Sequence, residues 1–141
     1  MSFDKGSIWF ADNYWVGFTA GGAIKKGNVV ALDSNGNAIA SAGINKAAIG
    51  VALADASSGA TVPVALRGIV WAVASGAISK GAFVTSAASG KIAAFAAFSA
   101  PATYAQTDMQ TQLDKIGTVM GIALDAASAD GDVIRILLIK F

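Results

Sequence analysis

The chain has 141 residues, is 55% hydrophobic and 13% charged, and carries a net charge of +1, which suits one self-sufficient domain and excludes a polar disordered chain. It has no Cys and no His, and its nine acidic residues are all Asp, so thiol chemistry, disulfides and the side chain that titrates near neutrality are missing; no enzyme activity, catalytic residue, cofactor or metal site is expected. Eight Lys and two Arg are scattered singly apart from Lys25-Lys26, and the longest uncharged run, residues 92–107, is broken by Ser99, Pro101, Thr103 and Gln106, so neither nucleic acid nor a membrane is expected as a partner.

Residues 1–18 form an aromatic arm. Phe3, Trp9, Phe10, Tyr14, Trp15 and Phe18 are six of the chain's twelve aromatics, joined by Ile8 and Val16. The opening "MSFDKGSIWF" puts Asp4 and Lys5 before a short apolar cluster, a poor secretory signal, so folding from the cytoplasm is expected. Side-chain burial alone does not clearly outweigh the cost of ordering eighteen backbone residues. The arm is therefore expected to form strand hydrogen bonds, either to its own sheet edge or to another polypeptide.

The remaining residues, 19–141, read as a β domain of two related halves, about 19–71 and 72–141. The phrase "AIKKGNVV" at Ala23 returns as "AISKGAFV" at Ala77. Ile24 matches Ile78, Gly27 matches Gly81 and Gly36 matches Gly90 at an offset of 54; Leu53 matches Leu124 at 71, and Gly59 matches Gly131 at 72. The arm has no evident counterpart in the second half. Strict alternation in "IGVALA" and "MGIALD" sets Ile49, Val51 and Leu53, and Met120, Ile122 and Leu124, against a bare Gly and Ala face. Such a face lets another backbone come close. In "TVPVAL" Val62, Val64 and Leu66 point inward, and Pro63 predicts an edge or a bulge. Turn residues at 33–36, 56–59, 88–90 and 129–132 separate about ten short strands, so the expected fold is all-β, a small sandwich or barrel.

The second half holds an insertion between Ala93 and Lys115. Its first part, with Phe95 and Phe98, reads as an ordered loop on the sheet. Its second part spaces Met109, Leu113 and Ile116 helically, with Thr107 or Asp108 as cap and Gly117 as stop. The last strand, "DVIRILLIKF", is apolar on both faces: Ile134, Ile136 and Leu138 on one, Val133, Leu137 and Ile139 on the other, interrupted by Arg135. That pattern fits a central strand or a subunit contact, with the contact favoured.

The order "I-x-K-G-x-x-V", a Gly turn, "AIGVAL", "VPVALRG", repeated in degenerate form and closing with "GIALDAASADGDVIRILL", resembles the capsid cement, or head decoration, proteins of tailed bacteriophages over about residues 19–141. The resemblance implies a structural virion protein on the outside of an icosahedral head, commonly a homotrimer, clamping neighbouring major capsid protein subunits. Interface residues for capsid or subunit contact are then expected at Phe3, Ile8, Trp9, Phe10, Tyr14, Trp15, Arg135, Leu137 and Ile139. Rival readings are another structural virion part, such as a tail tube or fibre subunit, and a trimeric β-barrel enzyme or ligand-binding module.

Several features have plainer readings. "ADGD" has too few ligands for calcium and reads as a turn. Lys26 and Lys80 read as solvated beside turns, although both could face an acidic patch. Arg67 and Arg135 could each fork onto a carboxylate, within the chain or across an interface. Trp71 reads as core.

Overall fold

The computed structural model describes residues 14–96, 102–103 and 105–139. Nine strands make up one antiparallel sheet: β1 (Tyr14–Thr19), β2 (Val29–Leu32), β3 (Ala38–Ala40), β4 (Ala48–Ala52), β5 (Thr61–Val73), β6 (Phe83–Ser86), β7 (Ile92–Ala94), β8 (Val119–Ala123) and β9 (Val133–Leu138). They run in the order β3-β2-β4-β5-β9-β8-β6-β7, with β1 also paired to β5. The sheet curls into a half-barrel. The fold is all-β as expected, with nine strands among the described residues rather than ten.

The duplication is visible in the backbone. Gly27 and Gly81 both have positive φ, +89° and +85°, and each donates its N–H to the matching strand, Gly27 to Ala52 O and Gly81 to Ala123 O. Only glycine adopts that conformation without strain, which is why the Lys-Gly phrase occurs twice. The repeat also reaches further back than the sequence suggests. β1 pairs with residues 61–67 of β5, and β9 pairs with residues 68–73. Thr19 faces Thr61 as Val73 faces Val133, and Ala20 bridges Ala38 as Ala74 bridges Ile92. The expectation that the arm lacks a counterpart therefore fails for Tyr14–Thr19: its counterpart is residues 68–73. One strand, β5, closes the first half with its N-terminal part and opens the second with its C-terminal part.

The bare faces act as predicted. A Cβ on Gly50 would collide with the carbonyl of Ala65, and one on Gly121 with that of Leu137. Val62 and Val64 are fully buried with Ile24, Val30 and Ala52 in a core of the first half. Their equivalents Ile134, Ile136, Ile78, Val84 and Ala123 belong to the larger core that joins both halves. Pro63 lies between β1 and β4 rather than at an edge. It is tolerated because the β4 ladder stops at the Ala52–Val64 pair, and beyond it Pro63 only accepts, its carbonyl taking the N–H of Leu53 at 2.9 Å.

A polar seam ties the halves together. The Ser86 hydroxyl donates to Gly43 O (2.8 Å) and accepts from Asn45 N–H (3.0 Å), while the Ser41 hydroxyl donates to Ala87 O (2.6 Å). Both serines are buried. Ser86→Ala takes the hydroxyl partner from the half-buried Gly43 carbonyl and from the Asn45 amide, and its thermal unfolding is expected to show a loss of about 1 kcal/mol. An unchanged melting temperature would mean that water replaces the hydroxyl.

The insertion forms the one α-helix among the described residues, α1 (Gln106–Ile116), ended by Gly117 as predicted. Its N-cap is Ala105, not Thr107 or Asp108, and no side chain caps it. The stripe of Met109, Leu113 and Ile116 exists but faces solvent, and α1 buries no residue.

Candidate interaction face

β9 lies between β5 and β8, so it is a central strand. Its inward residues Ile134, Ile136 and Leu138 are buried, as are Val70 and Ala72 of β5. Alternation then sends the remaining residues outward as three directly opposed pairs: Ile69 with Leu137, Trp71 with Arg135, and Val73 with Val133. Trp71 is 59% exposed and Val133 58% exposed. The expectation that Trp71 lies in the core is therefore wrong. A Trp in an apolar strand reads as buried, but the register places it on the face that the core does not cover.

Arg135 is fixed on this face. Its Nε donates to Asp125 Oδ2 and its Nη2 to Asp125 Oδ1, both at 2.9 Å, and its backbone N–H also donates to Oδ2 at 3.0 Å. The guanidinium carbon lies 6.0 Å from the centre of the Trp71 ring, within reach of a cation–π attraction. The fork is intramolecular, one of the two outcomes open for this arginine. The hydrogen bonds from Arg135, aided by the charge of Lys80, bring the Asp125 carboxyl down to about 2 from its usual 3.8. A carboxyl lowered on folding adds stability above its unfolded pKa and loses it as pH falls through the folded value. Thermal melts between pH 4 and pH 2 are therefore expected to fall more steeply for the parent chain than for Asp125→Asn. Parallel curves would show that the fork does not couple to folding.

The first half has nothing similar. At the positions of Trp71, Arg135 and Asp125 it carries Gly17, Pro63 and Ala54. The two copies keep the same core pattern and diverge on this outer face. A groove of about 410 Å³ adjoins it, lined by Lys26, Leu53, Ile69, Trp71, Val73 and Val133 among others. It is of a size to accept apolar side chains from a partner.

The other expected site residues are distributed around this face. Tyr14 and Trp15 lie on β1, 62% and 57% exposed, with Tyr14 paired to Arg67 beside the start of the face. Leu137 and Ile139 are half-buried, and Ile139 N–H extends the ladder to Met120 O. Phe3, Ile8, Trp9 and Phe10 fall outside the described residues, as does Phe98. Sequence reasoning missed Trp71, Val133 and Asp125 as part of the face, because the β5–β9 pairing that brings them together is a matter of register. The "ADGD" segment is a turn: Asp132 accepts from the N–H groups of Ser128 and Ala129, and Asp130 pairs with Lys91 at 2.7 Å. Among the described residues no group of three or more acidic side chains could share a metal ion, and no helix is long and apolar enough to cross a membrane.

The sequence profile of the phage cement proteins matches residues 11–138. The chain belongs to the phage cement protein family. Membership makes this cement protein a phage capsid-associated structural protein, in a family and fold of structural rather than catalytic proteins. The N base of head fiber gp8.5 of bacteriophage phi29 has a similar fold, with a TM-score of 0.57 and 16% identity, covering 91% of this chain and 95% of that one. No curated protein sequence matches significantly.

Proposed function

We propose that this protein binds the outer surface of the assembled phage head and stabilises contacts between major capsid protein subunits. The observation that carries the reading is the solvent-exposed Trp71–Arg135 face with its adjoining groove, in a chain whose family is capsid-associated. Exposed Trp and Arg on a rigid sheet are the residue types that dominate interface energies. A cement function also needs no catalytic group, in keeping with a composition lacking His, Cys and Glu. The protein acts as a homotrimer made in the host cytoplasm, with the exposed stripe of α1 available for contact between copies. The aromatic arm, with Trp9 and Trp15 as anchors, touches the shell or a neighbouring copy. Many copies on one closed shell add small binding energies, and binding only the assembled lattice raises the cost of opening it.

The test adds the purified chain to heads that lack it. Saturable binding, with release of the genome shifted to higher temperature, is the expected result. Heads that stay bare, or virions of a deletion phage that lose tails while keeping surface knobs, would assign the chain to another part of the particle.

A further inference from the structure

The outer face extends sideways as one row. Across β5, β9, β8 and β6 the directly opposed residues are Ile69 with Leu137, Leu137 with Ile122, and Ile122 with Phe83. Opposed residues share a face of the sheet, so all four point outward: Ile69 is 45% and Phe83 48% exposed, and Leu137 and Ile122 are half-buried. The first half has the same row in the same register, Trp15 with Ala65, Ala65 with Val51, and Val51 with Val29, across β1, β5, β4 and β2. There it is an internal interface. Ala65, Val51 and Val29 are buried in the core that joins the two halves.

Stacked repeats bury the face that each turns to its neighbour, and the last repeat needs something to cap it. Here the uncovered row of the last repeat is also the bulkier one. Phe83 stands where the first half has Val29, Ile122 where it has Val51, and Leu137 where it has Ala65. A row that met only water would have no use for the added apolar bulk. The second half also differs by its insertion, and α1 presents the complementary case: 11 residues long and without a side-chain cap, it buries nothing. A helix so short is marginal in water without packing, and its stripe of Met109, Leu113 and Ile116 has no cover among the described residues.

We propose that the stripe of α1 from one copy of this chain lies on the Ile69–Leu137–Ile122–Phe83 row of the next. A helix laid on a sheet is a standard two-layer arrangement and covers both surfaces at once. The lengths agree: Met109 to Ile116 spans about 10 Å at about 1.5 Å per residue, and four strands span about 14 Å at about 4.8 Å apart. Charge agrees as well. Asp108 sits next to Met109 on α1 and Lys80 lies three residues before Phe83, and neither makes a salt bridge among the described residues. The two surfaces differ, so the contact is heterologous and passes from copy to copy until a ring closes. The inference rests on the homotrimer reading and deepens it by naming the surfaces that meet. The Trp71–Arg135 pair lies beside the β5 end of the row and stays open to the shell.

The test uses the isolated full-length protein. Because the chain has no Cys, Leu113→Cys and Phe83→Cys single variants can be mixed, left to exchange subunits and treated with a short bis-maleimide. Covalent dimers containing one of each are the expected main product. Self-linked Leu113→Cys dimers as the main product would pair α1 with α1, self-linked Phe83→Cys dimers would pair two sheet faces, and either result overturns the proposal. Sedimentation gives a second readout. The parent is expected to be oligomeric, and Leu113→Asp, at a position 57% exposed in the single chain, is expected to weaken association by about tenfold or more without lowering the melting temperature of the dissociated chain. An oligomer that gives no mixed cross-link, or that Leu113→Asp leaves intact, refutes this contact alone and leaves the homotrimer reading standing. A parent that stays monomeric at every concentration refutes both.

Discussion

Trp71→Ala is expected to reduce occupancy on cement-free heads by about 30-fold or more while leaving the fold intact. Truncating a central interface Trp typically costs about 2–4 kcal/mol of binding, and each 1.4 kcal/mol is about tenfold. In the free protein Trp71 is mostly solvent-exposed and touches mainly its sheet neighbours and Arg135, so its loss should cost folding only about 1 kcal/mol. The split between the two readouts distinguishes an interface residue from a structural one. Equal fractional occupancy for variant and parent in a sedimentation assay, at protein concentrations near half-saturation, would remove this face from the binding mechanism. Arg135→Ala should follow the same pattern with an added stability loss at neutral pH, because it releases Asp125 as well.

The second large effect lies in the core. Gly121→Ala should destabilise by about 3 kcal/mol, a drop of about 10 °C in melting temperature for a domain of this size. The added methyl meets the Leu137 carbonyl, part of a strand pinned on both sides, so no flexible side chain is available to move aside. Gly50→Ala, which meets the Ala65 carbonyl, should behave similarly. Gly22→Ala and Gly76→Ala are the controls, since a methyl at either meets nothing within 4 Å and neither backbone has positive φ. Both should stay within about 0.5 kcal/mol of the parent. If all four variants melted alike, close backbone approach would not be what these glycines supply.

The two glycines that need bare space were legible in the sequence, because "IGVALA" and "MGIALD" alternate bulky and small residues strictly. So were the turns and the helix stop at Gly117. The true extent of the repeat was not. "YWVGFT" and "GIVWAV" share only an apolar strand character, and because both belong to pairs involving β5, no turn marks the boundary between halves. The location of Trp71 was hidden for a related reason: which face an alternating residue occupies depends on the register shift opposite Ala65 and Arg67, and no local residue pattern announces it. The α1 stripe was legible in the helical spacing of Met109, Leu113 and Ile116, but periodicity states only that a face is apolar, not that this chain covers it.

The shared strand has a mechanical consequence. With β5 running from the ladder of one half into that of the other, the two halves share a strand rather than a linker. A tug on one end of the body is carried along one covalent backbone, through the register shift opposite Ala65 and Arg67 and the positive φ of Gly68, and loads the hydrogen bonds of both ladders together. Fixed to two neighbouring shell subunits, such a body behaves as a strut, resisting their separation rather than following it.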